Sequence, residues 1–426
     1  MLLLAAAALL CSCSDKSGVP PPEENEDGIT LTVWTWRRSY NGKALEIAGD
    51  YYSRENPGVT IDIKNVSRDE ILSRLNVKFT IRDYEGLPDI VLVEDYQIQE
   101  YLRFFPGEIR DLSDALNAGH FADFASKAKS YDGKIYGVPF DTGAAVMFYR
   151  VDYIEQAGYT REDMTGLTWD KYIQIGNAVR EKTGKYMLTL NPTDLWQVRL
   201  MLQSAGQWYV KDDGKTANLA NNPVLKDAIK TYIDIVKSGI SLQVPGYDLE
   251  YSSVGSGDVA TVLTGTWRLQ QLINSVPEQE GKWAVTTIPR MESHNSVNAS
   301  ALGGYGWYVV DKAGNADAAS DFLVKTLGSD MDLLNELANE IYFVAAHKNA
   351  GDLPNYTMPV DIFGGDPVLK QLYDMIEGVP AVDYGMYTYA IDRIIEDSVQ
   401  LIMQGADMDD TLQTAQIMAE AVSGSN

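Results

Sequence analysis

Alternating strand and helix patterns near the amino terminus constrain the fold of this chain more than any other sequence feature. Strand-like segments rich in β-branched and aromatic side chains are separated by segments with apolar side chains at helical spacing. The predicted elements are, in order, strand 29–36, helix 43–55, strand 59–64, helix 69–79 and strand 89–93. Strands joined through helices pair in parallel, so the pattern predicts an α/β fold with crossover helices.

The rest of the chain continues this mixed pattern. Asp132-Gly133 predicts a hairpin turn, and Pro223 and Gly239 predict the start and the end of one helix. Further predicted strands are 144–149, 259–263, 283–288 and 306–310, and further predicted helices are 169–182, 194–203, 223–237, 316–327, 331–338, 390–404 and 409–421. A chain of 426 residues exceeds the usual size of a single core, which favours two lobes.

Composition argues against several classes of function. With 35 Lys and Arg against 60 Asp and Glu, the net charge is −25, which repels nucleic-acid backbones. The histidines His120, His294 and His347 lack ligand spacing, so no metal, cofactor or His-dependent triad is predicted. The 25 Tyr and 8 Trp supply flat apolar faces with polar edges, for packing or for stacking on a ligand.

The first residues predict export and lipid attachment. The apolar run at 2–10 is shorter than the roughly 20 residues that span a bilayer, so residues 1–13 predict a signal peptide. Leu10-Cys11-Ser12-Cys13 fits the cleavage box of bacterial lipoproteins, which predicts lipidation of Cys13. Residues 14–28, with three consecutive prolines, predict a disordered tether. No Lys or Arg precedes the apolar run, so an ordinary secreted protein is the alternative to an extracytoplasmic, lipid-anchored one.

Nine short segments, taken together, resemble bacterial extracellular solute-binding proteins of the maltose and multiple-sugar type, the capture subunits of ABC importers. Single motifs such as the turn Asn56-Pro57-Gly58 or the stretch Gly265-Thr266-Trp267 are common, but here they occur in family order from about residue 30 onward. The segments are 31–36, 51–59, 87–93, 132–139, 147–150, 168–170, 257–267, 303–307 and 316–323.

The resemblance implies a two-lobe periplasmic-binding-protein fold with a hinge and a ligand cleft between the lobes. Placed on this sequence, the first lobe takes 29–139 and 263–326, and the second takes 140–262 and 327–426. The implied protein is a non-catalytic monomer that captures a carbohydrate, an oligosaccharide in particular, outside the cytoplasmic membrane. By closing its hinge it would deliver this ligand to the permease subunits of an ABC transporter.

A sugar site needs aromatic rings for stacking and fixed polar groups for the hydroxyls, at positions that follow strands. Trp36 follows the first strand, with Arg37 and Arg38 as secondary candidates, and Glu94 and Asp95 follow a buried strand into a predicted loop. The resemblance adds aromatic and polar positions further along the chain. The candidate ligand-binding residues are Trp36, Glu94, Asp95, Asp141, Asn191, Trp196, Trp267, Arg268, Tyr305, Trp307, Tyr384 and Tyr387. The competing interpretation is packing for the aromatic residues and capping, loop or hinge roles for the polar ones.

Two other functions remain open at this point. The same fold could bind a peptide, polyamine, metal or anion instead of a sugar. A secreted glycoside hydrolase would need two carboxylates about 5–10 Å apart, for which Glu94, Asp95 and Asp141 are the available groups. Nothing in the spacing of these acids specifies such a pair, so the sequence predicts a binding protein and no enzyme.

Overall fold

The computed structural model of this protein describes residues 28–424. The predicted signal peptide, the predicted lipidation site Cys13 and the predicted tether up to residue 27 lie outside the described residues. Within residues 28–424, no helix has both the length and the apolar character needed to cross a membrane.

Strands and helices alternate along much of the described chain. The strands are β1 (Ile29–Thr35), β2 (Val59–Asn65), β3 (Ile90–Glu94), β4 (Ser130–Tyr131), β5 (Lys134–Ile135), β6 (Gly137–Pro139), β7 (Ala145–Arg150), β8 (Leu188–Leu190), β9 (Ser241–Gln243), β10 (Thr261–Gly265), β11 (Trp283–Thr287) and β12 (Tyr305–Val309). The α-helices are α1 (Lys43–Ser53), α2 (Arg68–Ile81), α3 (Asp95–Phe104), α4 (Asp123–Ala128), α5 (Val151–Gln156), α6 (Trp169–Thr183), α7 (Trp196–Ser204), α8 (Pro223–Ser238), α9 (Tyr247–Gly255), α10 (Leu269–Ser275), α11 (Ala316–Lys325), α12 (Met331–Ile341), α13 (Val368–Asp374), α14 (Thr388–Met403) and α15 (Met408–Ser423).

The first sheet has five strands in the order β2-β1-β3-β12-β6. β1 pairs in parallel with β2 and β3, as the sequence predicts, and β12 runs antiparallel to β3 and β6. Phe79 and Tyr101 of α2 and α3 pack on one face, and Leu45, Phe322 and Leu333 of α1, α11 and α12 belong to the core on the other. Because both faces are covered, the central strand β3 is apolar at four of its five positions.

The second sheet has three strands in the order β10-β7-β11. β7 lies in the middle and is antiparallel to both neighbours, and every one of its residues is buried. Met147 and Leu263 from this sheet share a core with Tyr172, Ile229 and Ile395 of α6, α8 and α14. Two short two-stranded sheets, β4-β5 and β8-β9, complete the set. The described chain is therefore an α/β protein with two main sheets, which confirms the predicted fold class.

Three segments of the chain pass between the two sheets side by side. The first lies between β6 and β7, where Ala144 forms an antiparallel bridge with Ala301 of the second segment. The third segment, after α12, joins them through the antiparallel bridge between Asp141 and Ala345. Backbone bonds reinforce this junction, including those from the N–H of Leu302 to the carbonyl of Gly143 at 2.7 Å and from Phe140 to Tyr305 at 3.1 Å.

The pairing of the strands differs from the predicted division into lobes. The predicted first lobe contained 263–326, but β11 pairs with β7 along its whole length and therefore belongs to the second sheet. The predicted second lobe began again at 327, but α12 packs beside α1, where Tyr51 donates a hydrogen bond of 2.6 Å to Glu336. The second passage therefore follows β11, and the third follows α12. β11 stays with the second sheet because it is one of the two antiparallel partners of β7. The first predicted passage, at 139–140, coincides with the one that follows β6.

Helix caps and turn residues lie at the positions that the sequence predicts. Asn222 accepts hydrogen bonds from the backbone of Val224 and Leu225, Pro223 opens α8, and Gly239 ends it with a φ of 74°. The predicted hairpin is confirmed, since β4 and β5 pair across Asp132-Gly133. These short-range features depend on neighbours in sequence, which is why they can be predicted from the chain alone.

A buried ion pair connects α3 to the segment after α4. Nζ of Lys129 lies 2.5 Å from Oδ1 of Asp95, and the two side chains are 0% and 1% exposed. Glu94 and Asp95 were predicted to enter a loop, but Glu94 ends β3 and Asp95 begins α3 directly. Because Lys129 and Asp95 are both removed from water, each depends on the other for charge compensation.

We expect Lys129→Met to lower the free energy of unfolding by about 3–5 kcal/mol, because it leaves the Asp95 carboxylate buried without its cation. Urea unfolding monitored by circular dichroism measures the change. Lys182→Met is the matched control: its pair with Glu181 is exposed, with side chains 55% and 71% accessible, and we expect no measurable change in stability. Similar effects for both variants would show that the buried pair does not stabilise the fold.

Candidate functional site

The carboxyl ends of β1, β3 and β6 meet the amino end of β12 at one edge of the first sheet. The register pairs Tyr305 with Glu94 and Gly306 with Pro139, so the side chains at these strand ends lie close together. Trp36 follows β1, and its ring meets that of Tyr305 edge-on with the centroids 5.5 Å apart. This edge therefore combines two aromatic rings and a carboxylate at the place where open α/β sheets bind ligands.

Trp267 lies at the facing edge of the second sheet. It follows β10, whose last residue Gly265 pairs with Ala145 at the start of β7. A Cβ atom at position 265 would lie 2.2 Å from Nε1 of Trp267, so only glycine leaves room for the indole over its own strand. The guanidinium carbon of Arg37, from the edge of the first sheet, lies 4.7 Å from the centroid of the Trp267 ring. The structure thus brings predicted residues of the two sheets face to face.

Glu94 accepts hydrogen bonds from residues of both lobes. Its carboxylate accepts hydrogen bonds from Nη1 of Arg68 at 3.0 and 3.1 Å and from the hydroxyl of Tyr389 at 2.5 Å. Arg68 begins α2 beside the first sheet, and Tyr389 lies in α14 beside the second. Because its side chain is only 13% exposed, Glu94 is a fixed, charged acceptor that joins the lobes.

Asp141 lies in the first passage between the sheets and is 1% exposed. Its Oδ1 accepts a 2.9 Å hydrogen bond from the N–H of Gly143, and its Oδ2 has no hydrogen-bond partner among the described residues. Burial raises the pKa of Asp141 to about 6, although Arg37 and the bond from Gly143 partly oppose the shift. A buried carboxyl oxygen without a partner at this junction suits a hydrogen bond with a ligand hydroxyl.

Arg268 follows Trp267 and is buried. One of its Nη atoms lies 3.8 Å from the carboxylate of Glu250 in α9, and its guanidinium carbon lies 5.7 Å from the centroid of the Tyr251 ring. Burial raises the pKa of Glu250, and the positive charge of Arg268 opposes that shift. Contacts with α9 therefore hold Arg268 beside the Trp267 ring.

Asn191 and Trp196 lie at the turn that leads into α7. Oδ1 of Asn191 accepts bonds from the backbone and the hydroxyl of Thr193 at 3.1 and 2.9 Å, so this side chain shapes the turn. The N–H of Trp196 donates to Oδ1 of Asp194 at 3.2 Å, and its half-buried ring packs against the core of the second lobe. Asp194 also lies within electrostatic reach of Glu250, which places this turn near the Trp267 edge.

Arg199 compensates an acidic cluster in the second lobe. Carboxylate oxygens of Asp194, Asp392 and Glu396 lie within 4.8 Å of one another, a geometry that could hold a cation. The guanidinium of Arg199 already pairs with Asp194 at 3.1 Å and with Asp392, and it lies 5.6 Å from the centroid of the Tyr96 ring. The cluster is therefore an internal ionic network, and we assign no metal to it.

Trp307 lies in the core in this structure, away from the predicted ligand surface. It is two residues further along β12 than Tyr305, which places it roughly 7 Å deeper in the sheet. Its ring is 0% exposed and packs against Phe140, with the centroids 5.4 Å apart. Alternation along the strand puts Tyr305 and Trp307 on the same face, but only the first is at the edge.

Tyr384 and Tyr387 lie along the contact between α3 and the second lobe. The ring of Tyr384 is buried between Tyr96 and Trp208, with both centroids 4.8 Å away, and its hydroxyl bonds to Gln203. Tyr387 is half-buried and lies 6.0 Å from the ring of Phe104 at the end of α3. In this structure the two tyrosines pack the lobes together, away from Trp36 and Trp267.

Sequence reasoning did not single out Arg68 and Tyr389, the two partners of Glu94. Arg68 follows the end of β2, so the rule that site residues follow strand ends could have found it. Tyr389 is the second residue of α14, 295 residues from Glu94 along the chain, and no local signal marks their contact. Arg199, three residues after Trp196 on α7, is likewise defined only by the fold.

Two cavities lie outside this edge. One of about 590 Å³ is lined by residues around Phe124, Lys348 and Tyr373. Another, of about 390 Å³, lies beside Arg103 and Asp383, with Tyr384 in its wall. Neither cavity is lined by Trp36, Glu94, Asp141 or Trp267, so the strand ends and the unpartnered oxygen of Asp141 locate the candidate site better than free volume does.

Comparison with known proteins accords with this arrangement. Residues 48–364 match the family described as bacterial extracellular solute-binding protein. The chain belongs to that family. It is 35% identical over 416 residues to a lactose-binding protein of Rhizobium radiobacter, a match that covers 98% of this chain and 96% of the relative.

More distant relatives of this solute-binding protein agree with the family assignment. A maltooligosaccharide ABC transporter solute-binding lipoprotein of Streptococcus pneumoniae (strain ATCC BAA-255 / R6) is 23% identical, with 88% of this chain and 90% of the relative covered. The solved structure of the sugar-binding protein MalE from Xanthomonas citri superposes with a TM-score of 0.75 at 17% identity, and covers 93% of this chain and 98% of that one. The structural match shows the two-lobe fold, which confirms that prediction.

We expect Asp141→Asn to change how stability depends on pH. The folded protein holds the Asp141 proton up to a pKa of about 6, against 3.8 as the ordinary value, so the free energy of unfolding falls as pH rises through this window. Asparagine keeps the Gly143 bond and cannot ionise. The variant should therefore gain stability relative to wild type from about pH 4 to about pH 7, by on the order of 2–3 kcal/mol.

Urea unfolding at several pH values in that range measures this difference. Asp132→Asn, the same substitution at the exposed hairpin turn, is the control with which the pH dependence of Asp141→Asn is compared. A constant offset between Asp141→Asn and wild type would mean that Asp141 is ionised throughout the window.

Proposed function

We propose that this solute-binding protein captures a short oligosaccharide between its lobes and delivers it to the permease of an ABC transporter. The observation that carries the proposal is the 35% identity, over nearly the whole chain, to a lactose-binding protein. The composition of the facing sheet edges agrees with it, because aromatic rings and fixed hydrogen-bonding groups occur together there. Lactose is accordingly the first ligand to test.

Each sheet edge supplies part of what a sugar requires. Trp267 and Trp36 offer apolar ring faces for the C–H faces of sugar rings. Glu94 and the free oxygen of Asp141 accept hydrogen bonds from hydroxyls, and Arg68 donates to acceptors beside Glu94. Because these groups come from different strands of one sheet and from the facing sheet, a bound sugar would touch both lobes.

Contact with both lobes is what couples binding to closure. A ligand stabilises the closed form only by the additional contacts that it makes there, so the equilibrium shifts towards closure by that difference. The bond between Glu94 and Tyr389 already links the lobes at the candidate site. A permease can then recognise the closed, loaded form.

The carboxylates of the site are placed for binding and not for hydrolysis. Asp95 is buried against Lys129, and Glu94 is held by Arg68 and Tyr389, which leaves Asp141 as the acid with an oxygen free of partners. Glycoside hydrolysis needs two cooperating carboxyl groups that face the bond to be cleaved. We therefore propose a binding protein without catalytic activity.

We expect Trp267→Ala to weaken lactose binding by roughly 10- to 100-fold, because it removes the stacking surface and the apolar area buried with it. Isothermal titration calorimetry measures the affinity. Tyr159→Ala is the matched control, since this half-buried aromatic also contacts a cation, Lys171, but lies beside α5 and α6. It should leave the affinity unchanged.

The titration also decides between ligand classes. Heat with lactose or another oligosaccharide, lost in Trp267→Ala, supports the proposal. No heat and no thermal shift across mono- and oligosaccharides, with a response to peptides, polyamines or anions, would reject the carbohydrate assignment.

We further propose that Cys13 carries a lipid that attaches the protein to the outer side of the cytoplasmic membrane. Support comes from the cleavage box Leu10-Cys11-Ser12-Cys13 and from the lipoprotein named among the relatives.

We expect Cys13→Ala to release the protein from the membrane fraction without changing its affinity for lactose, because the substitution lies outside the lobes. Fractionation of expressing cells, followed by calorimetry on the released protein, measures both. Cys11→Ala is the control and should remain membrane-bound. If Cys13→Ala stays in the membrane fraction with normal processing, lipidation at Cys13 is wrong.

A further inference from the structure

We propose that Arg37 is a built-in competitor for the Trp267 ring, which a sugar must displace before it can stack there. The proposal rests on the proposed function, because it concerns the same aromatic platform. Beyond that function, the proposal assigns to Arg37 the control of access to this platform. The inference starts from the position of the guanidinium over the indole.

Arg37 reaches across from the first sheet to the edge of the second. Its guanidinium carbon lies 4.7 Å from the centroid of Trp267 and 5.3 Å from that of Tyr40. These distances are within the range of an attractive cation–π contact. The guanidinium therefore covers ring surface that a sugar would otherwise use.

The backbone of Arg37 is held in an unusual conformation that aims the side chain. Its φ and ψ are 55° and 68°, in the left-handed region that non-glycine residues seldom adopt. The carbonyl of Arg37 accepts hydrogen bonds from the N–H groups of Tyr40 and Asn41, both at 3.0 Å. The turn is thereby fixed, and the side chain leaves it towards Trp267.

Arg37 differs from the other cations around the site in making no direct ion pair, although its charge acts on the buried carboxyl of Asp141. Arg68 pairs with Glu94, Arg199 pairs with Asp194 and Asp392, and Lys129 pairs with Asp95. Within the described residues, the guanidinium of Arg37 makes neither an ion pair nor a hydrogen bond. Its direct contacts are the two ring faces, so a sugar can displace it without breaking a salt bridge, although Asp141 attracts it at longer range.

A guanidinium and the C–H face of a sugar cannot occupy one side of the indole together. Removing the arginine should therefore expose Trp267 in the ligand-free protein and remove a contact that the sugar has to replace. A cation–π contact of this kind corresponds to roughly two- to fivefold in affinity. We expect Arg37→Ala to bind lactose tighter by that factor.

Two measurements test the inference. Acrylamide quenching of tryptophan fluorescence, compared with a Trp267→Phe background, reports the accessibility of Trp267 without any ligand. Calorimetry with lactose reports the affinity. Arg54→Ala is the control, because Arg54 lies over the Tyr51 ring at 4.0 Å in the same kind of contact but is exposed at the end of α1, and it should change neither quantity. Arg37→Gly accepts a φ of 55° without strain and should behave like Arg37→Ala if the guanidinium is responsible.

Each outcome decides a separate question. Higher accessibility of Trp267 together with tighter lactose binding supports the competition. Unchanged accessibility overturns it, whatever the affinity, and weaker binding overturns it by making Arg37 a ligand contact. Absence of binding to any carbohydrate in wild type and variants alike would reject the proposed function and the competition with it, while the quenching data would still report the Arg37 contact.

Discussion

Close backbone contact between two passages of the chain sets the relation between the lobes. A Cβ atom on Gly143 would lie 2.5 Å from the carbonyl oxygen of Gly303, and one on Gly304 would lie 2.5 Å from Oδ2 of Asp95. Both distances are shorter than atoms tolerate, so glycine is needed at these points. Because the passages pack this closely, the strand ends of the two sheets that flank them come within reach of one another. The candidate site is therefore a consequence of the junction.

The same junction concentrates charge away from water, and pairing compensates nearly all of it. Asp95 with Lys129, Glu94 with Arg68, and Arg199 with two aspartates each join a cation to a carboxylate. Isolated buried charges are too unfavourable to persist, so such networks tend to be fully paired. Asp141 departs from this pattern, with one oxygen lacking a partner and a pKa raised to about 6. A group left in that state suits a site where a ligand completes the hydrogen bonding.

The sequence predicted the elements better than their long-range pairing. Periodicity located β1, β3 and β7 and most of the helices to within a few residues, because these patterns depend on nearby side chains. The rule that ligands bind at strand ends selected Trp36 and Glu94, the family resemblance added Trp267, and the structure brings these residues to facing edges. It could not distinguish Tyr305 from Trp307, since the register of β12 decides which of them lies at the edge. The lobe boundaries depended on whether β7 has two partners or one, which no local signal reveals.

The contacts between the lobes fall into two chemical kinds, and this division bears on closure. Tyr96 of α3 packs among Trp208 and Tyr384 of the second lobe and is buried, so this contact gains from the exclusion of water and needs no ligand. At the candidate site, by contrast, the lobes meet through the polar bond of Glu94 with Tyr389 and the ring contact of Arg37 with Trp267. Under the proposed function, a bound sugar would meet these polar and ring contacts and not the apolar one. The apolar contact can persist while the polar contacts are exchanged. Such an arrangement allows a cleft to open and close about a fixed hinge axis.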